Sequence, residues 1–190
     1  MANAEVHAGS ILVAKPALDV DPSFRRTVVF LFNHSSEGAS GVDLTHGSPV
    51  DLIPEFFNAV DPAHALPEGQ RRFYWGGPQP LPKPMVLMVT DSSEAPADAR
   101  PVGNSGFSVV ALVKDGTDIT GGTFSGGQPK NIVPFIGYGG WGGGQIESEI
   151  QREFWAVAPV KLDELLAVPP EQRWEVAAKA AGIAPAPANS

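Results

Sequence analysis

The most restrictive feature of this chain is a run of glycine near its C-terminal third. Six of the eight residues from Gly137 to Gly144 are glycine, and the other two are aromatic. Glycine lets a second backbone or a ligand approach closely, at a cost in chain entropy. We therefore predict a turn that packs against Gly76–Pro78 or against residues 16–26, with Trp141 anchored between them. At Gly140 we expect no room for a side chain.

A strand-like run, Ile132–Ile136, precedes the glycines, and a helix-like segment, Gln145–Ile150, follows them. A strand, a glycine loop and a helix together can bind phosphate. However, the loop has neither the Lys-Ser/Thr pair of a P-loop nor the dinucleotide-binding spacing. Glu147 and Glu149 would also repel a phosphate, and at i, i+2 they point to different helix faces, which argues against paired acid–base chemistry. A close-packed structural turn is favoured, while a phosphate site and another ligand or partner site stay open.

Hydrophobic patterns predict an α+β fold. The continuous apolar run Thr27–Phe32 predicts a strand that is buried on both faces near the centre of a sheet. Residues 42–45 predict its hairpin partner, although Asp43 is awkward in a buried strand. Further strands are predicted at 73–75, 85–90 and 107–114, helices at 51–60, 145–155, 161–168 and 171–181, and a loop at 117–130. Because strands come early and helices late, we expect one domain over 1–183 and a mobile tail at 184–190.

Composition excludes several classes of function. The chain has 190 residues, with 13 Lys+Arg against 21 Asp+Glu and a formal net charge of -8, which disfavours direct binding to DNA. It has no cysteine, so disulfides, a thiolate nucleophile and Cys-based metal sites are excluded. No apolar stretch is long enough for a membrane span, and the first residues do not resemble a signal peptide. We therefore expect a cytoplasmic protein without a membrane segment.

Histidine and serine residues form no recognised catalytic motif. None of the four histidines, His7, His34, His46 and His64, has the short spacing of a metal site. No Gly-x-Ser-x-Gly elbow and no cofactor fingerprint occurs, so we predict neither a metal nor a cofactor. His34 stands at the end of the predicted central strand, where a turn opens. It is interpreted as a hydrogen-bonded turn residue, with a catalytic role as the alternative.

Two further groups have open interpretations. Arg25 and Arg26 follow Asp21 and could bind an anion, although an internal ion pair is favoured. Tyr138 and Trp141 could stack on a planar ligand, but anchoring in the core explains them equally well.

Several ordered motifs match one known family. They are Pro16–Leu18, Asp21–Val29, His34 with Gly38–Gly41, Gly76–Pro78, Gly137–Trp141 and Gln145–Glu149, followed by Trp155, Pro159 and Trp174. Together, over about residues 9–183, they resemble the AlgH/YqgE family of small bacterial proteins.

The resemblance implies an α+β fold with a forked, mostly antiparallel sheet of partial barrel character and helices concentrated in the C-terminal third. Members of the family are described as proteins of unknown function or as transcriptional regulators, and no established reaction comes with the name. The segment Asp43–Gly47 departs from the family pattern, which places Arg or Lys where His46 stands. A histidine is a poor substitute for a basic residue at neutral pH.

Our leading hypothesis is a non-enzymatic cytoplasmic binding or regulatory protein, whose partner is an unidentified protein or a small ligand. The alternative is an enzyme or a small-ligand-binding protein with a site gathered from the Arg26, His34 and Trp141/Glu149 segments. The candidate ligand-binding residues are Arg26, His34, Gly77, Tyr138, Trp141, Gln145 and Glu149.

Overall fold

The computed structural model describes residues 5–46, 74–80, 85–92, 95, 99–113 and 132–184. The helix predicted at 51–60, the loop predicted at 117–130 and residues 185–190 of the predicted tail lie outside the described residues.

Ten strands and three α-helices occur in the described part of the chain. The strands are β1 (Ile11–Ala14), β2 (Val28–Ser35), β3 (Gly38–Asp43), β4 (Tyr74–Trp75), β5 (Met85–Asp91), β6 (Arg100–Pro101), β7 (Phe107–Val113), β8 (Ile132–Ile136), β9 (Gly139–Gly142) and β10 (Trp155–Ala158). The helices are α1 (Gln145–Gln151), α2 (Leu162–Leu166) and α3 (Pro170–Ala180). The α+β class is confirmed, and the helices lie in the C-terminal third as expected.

The first sheet is antiparallel, curls into a half-barrel and has the order β10-β1-β2-β3-β9. Strand β2 is therefore central, and the exposed fraction of Thr27 and of Val28–Leu31 is at most 1%. The prediction of a buried central strand is confirmed. Its physical basis is that hydrophobic side chains cover both faces of this strand. Phe30 belongs to the core on one face, and Leu31 belongs to a second core on the opposite face, beneath α1.

The second sheet has the order β4-β8-β5-β7-β6, in which β4 pairs with β8 in parallel and the other pairs are antiparallel. It is joined to the first sheet where the Asp43 amide donates a hydrogen bond to the Gly76 carbonyl, at 2.9 Å. Phe135 and Phe107 of this sheet pack in the same core as Phe30 of the first. Side chains of both sheets therefore share one hydrophobic core.

Helix α1 is shorter than predicted. The pattern predicts a helix that reaches Trp155, but α1 ends at Gln151 and Trp155 begins β10. The chain leaves the helix through hydrogen bonds from the Glu153 amide to the Ile150 carbonyl and from the Phe154 amide to the Glu149 carbonyl. This is a Schellman termination, and Glu153 takes the left-handed position with φ 65. Glycine normally occupies that position. Because Glu153 stands there instead, the sequence carries no glycine signal for the end of the helix.

The glycine-rich segment is partly a strand rather than a turn. Residues 139–142 form β9, which pairs with β3 at the edge of the first sheet. Close packing on the Gly76–Pro78 turn is confirmed, because a side chain at Gly137 would lie 2.6 Å from the Gly77 carbonyl oxygen. The expectation for Gly140 is wrong, because a Cβ there would meet its nearest neighbours at ordinary distances of 3.5 and 3.6 Å. Strand β9 lies at the sheet edge, where one side of the strand is less crowded.

Gly77 is the position at which we expect a side chain to be most damaging. Its φ is 148, and a Cβ would overlap the backbone of Tyr138 and Gly139. We predict that Gly77→Ala lowers the free energy of unfolding by about 1–3 kcal/mol. Gly140→Ala is the matched control and should unfold close to the parent. Urea or thermal denaturation measures both, and equal stability of the two variants would contradict this account of the joint.

Candidate functional site

Glu149 on α1 holds two tryptophans from two different strands. Its Oε2 accepts a hydrogen bond from Trp141 Nε1 of β9 at 3.0 Å and another from Trp155 Nε1 of β10 at 2.8 Å. The two indole rings meet edge to face, with their centroids 6.0 Å apart. Phe24 contacts both rings. The carboxylate thus ties opposite edges of the first sheet to the helix that crosses it.

Gln145 completes this network at the N-terminus of α1. Its Oε1 accepts a hydrogen bond from the Gly142 amide at 2.9 Å, and its Nε2 donates one to Glu149 Oε1 at 2.8 Å. The structure therefore brings together Trp141, Gln145 and Glu149 from the predicted set. Trp141 is buried against other aromatic rings, with 6% of its surface exposed, so it offers no open face for stacking on a planar ligand.

His34 pairs with Glu147 on the other face of α1. His34 Nε2 lies 2.7 Å from Glu147 Oε1, near the end of the hairpin formed by β2 and β3. Glu147 Oε2 is shielded from solvent and has no hydrogen-bond partner among the described residues. The two glutamates therefore have different surroundings, as their i, i+2 spacing predicts. Glu147 itself was not among the candidate residues.

Gly77 and Tyr138 lie at the joint between the two sheets. The Tyr138 backbone exchanges two hydrogen bonds with Gln79, at 2.9 and 3.0 Å, and its ring packs on Phe32 at a centroid distance of 6.4 Å. These contacts account for both residues as packing elements. The half-buried Tyr138 ring belongs to the edge of the main core.

Arg26 lies in a different group of contacts from His34 and Glu149. Its guanidinium stacks on Trp174 of α3, with Cζ 4.4 Å from the ring centroid, and Nη2 lies 3.2 Å from Glu175 Oε1. The favoured internal ion pair is present, with Glu175 rather than Asp21 as the partner. Asp21 instead accepts a hydrogen bond from the Ser23 amide. Arg26 also has a positive φ of 50, which is uncommon for a residue with a side chain.

Sequence reasoning missed the contact between Asp43 and His46. Asp43 is 2% exposed, its Oδ1 accepts three hydrogen bonds from Thr45 and His46, and its Oδ2 lies 2.6 Å from His46 Nδ1. The hydrogen bond to Asp43 raises the pKa of His46 above its ordinary value, although partial burial opposes the rise. His46 is therefore easier to protonate than a free imidazole, because of the buried carboxylate three residues earlier.

Arg173 of α3 is a second unexpected group. It is 3% exposed, and its guanidinium donates hydrogen bonds to the carbonyls of Leu44, Leu165 and Val168 at 2.8 to 2.9 Å. Burial lowers its pKa, and attraction to Tyr74, Glu171 and Asp43 opposes that change. Arg173 stays charged because guanidinium groups do not lose their proton in proteins. The sequence could have indicated Arg173, because it is adjacent to Trp174 on the face of α3 that packs on the sheets.

The described ranges contain neither a candidate metal site nor a candidate membrane-spanning helix. No three His, Cys, Asp or Glu side chains are grouped there as a metal ion would require. None of the helices in those ranges is long and apolar enough to cross a bilayer. A shallow cleft of about 480 Å³ is lined by residues from the N-terminus, from 104–107 and from 160–163, with charges of both signs.

We predict that Glu149→Gln is more destabilising than Glu147→Gln. At position 149, an amide has one acceptor oxygen instead of two for the N–H groups of Trp141, Trp155 and Gln145. Its NH2 group would then face one of these donors. Loss of satisfied partly buried hydrogen bonds costs about 1–3 kcal/mol. An amide at position 147 can keep the bond to His34 and removes a carboxylate oxygen that had no partner. Urea denaturation of both variants tests the difference, and an equal loss in both would contradict the assigned roles.

Comparison with known proteins identifies the family to which this chain belongs. A family model described as AlgH-like matches residues 11–186. A UPF0301 protein from Thioalkalivibrio sulfidiphilus is 30% identical over 173 residues, which cover 90% of this chain and 88% of that protein. The solution structure of the AlgH protein from Pseudomonas aeruginosa is similar with a TM-score of 0.66 and 25% identity, covering 97% of this chain and 94% of that one. A crystal structure of a Corynebacterium diphtheriae protein has a TM-score of 0.69 and 24% identity, covering 98% and 92%, and supports the fold alone. The chain therefore belongs to the AlgH-like family.

Proposed function

We propose that this chain is a non-enzymatic binding or regulatory protein of the cytoplasm. Its partner, a protein or a small ligand, would contact the His34–Glu147 pair. The observation that carries the proposal is Glu147 Oε2, a solvent-shielded carboxylate oxygen without a hydrogen-bond partner in the described part of the chain. A ligand that displaces the side chains shielding this oxygen would supply the hydrogen bond that it lacks.

The neighbouring residues support binding more than chemistry. Glu149, the other carboxylate of α1, accepts hydrogen bonds on both oxygens from side chains of the protein itself. Trp141 is buried, and Arg26 is engaged with Trp174 and Glu175. The residues that the enzyme hypothesis would gather are thus engaged with other side chains of the protein, Trp141 with Glu149, Arg26 with Trp174 and Glu175, and His34 with Glu147. A rigid α1 that holds one unsatisfied acceptor suits recognition of a ligand group.

The chemistry of that group follows from the atoms present. Glu147 Oε2 can only accept a hydrogen bond while the carboxylate is ionised, so the ligand must offer an N–H or O–H donor. His34 already holds Oε1 and fixes the orientation of the carboxylate. A backbone amide of a protein partner, an ammonium group or a hydroxyl group would fit. The formal net charge of -8 favours a neutral or cationic group over an anion at this position.

A matched pair of variants tests the proposal. Glu147→Gln changes the proposed acceptor, and Ser148→Ala changes the exposed neighbour on the same helix. A thermal-shift screen of amines, polyols and peptides should find at least one compound that stabilises the parent and Ser148→Ala but not Glu147→Gln. NMR of the mixture should show that the compound is not consumed. Equal stabilisation of Glu147→Gln by every hit would overturn the site, and turnover of a hit would favour the enzyme alternative.

If the protein regulates transcription, we propose that it acts through such a partner and not by binding DNA directly. We expect weak or no binding of labelled duplex DNA at about 150 mM salt, because phosphate contacts are screened there and the net charge is repulsive. Fluorescence anisotropy with a basic DNA-binding protein as positive control measures this. Saturation at nanomolar protein would show that a local basic surface outweighs the net charge.

A further inference from the structure

We propose that His46, held by the buried Asp43, forms a binding site for an oxyanion, namely a carboxylate or a phosphate-type group. This site lies at the opposite end of the β2–β3 hairpin from His34. His34 is paired with Ala39, so four steps of about 3.3 Å along β3, roughly 13 Å, separate it from Asp43. The inference is therefore independent of the proposed contact at Glu147.

The geometry fixes which nitrogen of His46 faces a ligand. Asp43 Oδ2 lies 2.6 Å from Nδ1, so Nδ1 carries the hydrogen that is donated to the carboxylate. Nε2 has no partner within the described ranges, and the His46 side chain is 45% exposed. A protonated His46 therefore offers an N–H donor and a positive charge to solvent. Its orientation is fixed by a carboxylate that is itself 2% exposed.

The local charge is positive although the chain as a whole is acidic. Asp43 is a single carboxylate that attracts two cations, His46 through a hydrogen bond and Arg173 through the longer-range field. Two positive charges against one negative charge leave an excess of one. Asp43 and Arg173 are both buried, so of these three groups only His46 can meet a ligand. An anion that reaches Nε2 would balance the excess.

Other charged groups nearby do not cancel this excess. Glu171 attracts Arg173 more strongly than Asp43 does, but Glu171 is exposed, so water and salt screen its charge from a ligand at His46. Arg26 is neutralised by Glu175. Arg25 is exposed, its side chain has no ion-pair partner among the described residues, and its backbone carbonyl accepts a hydrogen bond from Thr27 Oγ1. Since Thr27 Oγ1 also lies 3.4 Å from His46 Nδ1, the backbone of Arg25 lies close to the proposed site.

A hydrolytic dyad is a weaker interpretation of the same residues. The hydroxyls of Thr27 and Thr45 lie 3.4 and 3.3 Å from His46, but both distances are to Nδ1, the nitrogen that Asp43 occupies. In a nucleophilic triad the hydroxyl must lie at the other nitrogen. No described hydroxyl does so here. An exposed Nε2–H without a nucleophile can bind an anion.

The test uses sulfate and acetate, whose charges stay constant between about pH 6 and pH 9, at fixed ionic strength. Imidazole resonances of the full chain are followed by NMR. We expect both anions, or one of them, to shift the His46 signals in a saturable way. Binding should weaken as the pH rises through the raised pKa of His46, because the cation is lost there. Saturation by sulfate alone would indicate a phosphate-type ligand, and saturation by acetate alone would indicate a carboxylate.

Variants separate binding at His46 from a general salt effect. His46→Gln should weaken binding about tenfold or more, the expected effect of losing one charge-assisted hydrogen bond. His46→Arg should keep binding at about pH 9, where the parent has lost it, because its charge does not titrate. His7→Gln, at another exposed histidine, is the control and should bind like the parent. Unchanged affinity in His46→Gln, or His46 signals that move no more than those of His7, would overturn the proposal.

Discussion

The first sheet is buried on both faces, and this constraint decides where polar residues can lie along its central strands. Strands β1 and β2 carry side chains that enter one core on the second-sheet side and another beneath α1. A polar side chain in the middle of these strands would lose its hydrogen bonds to water without replacement. Polar residues therefore occur where the strands end. His34 lies at one end of the β2–β3 hairpin, and Asp43 lies at the other.

Glu149 solves a related problem at the edges of the same sheet. Trp141 and Trp155 each bury a large ring together with one N–H donor, and a buried donor needs an acceptor. One carboxylate oxygen serves both indoles, so the two strand edges and the helix must take their positions together. The most recognisable motif of the chain is thereby explained by packing. Glu147, two residues earlier, makes no contact that this packing needs. It is therefore a better candidate than Glu149 for binding a partner.

Much of the fold followed from the sequence, and the misses have specific physical causes. The central strand was predicted because burial on both faces leaves a continuous apolar run. The end of α1 was missed because Glu153 takes a left-handed conformation that usually marks glycine. Strand β9 was missed because glycines carry no hydrophobic pattern, and its pairing with β3 is a long-range contact. In the site, Trp141, Gln145 and Glu149 all belong to the predicted set, but the hydrogen bonds that join them depend on distances that residue spacing does not supply.

The contact between Asp43 and His46 shows why a residue should be judged together with its partner. Taken alone, a carboxylate in a buried strand is unfavourable, and a histidine carries only partial charge at neutral pH. Together, the carboxylate gains a cationic partner and three further donors, and the imidazole becomes easier to protonate. Each residue corrects the deficiency of the other. Arg173, which Asp43 attracts at longer range, donates a hydrogen bond to the Leu44 carbonyl and so links the segment after β3 to helix α3. An anion bound at His46 would lie beside this network, and by binding only the folded state it would stabilise that state.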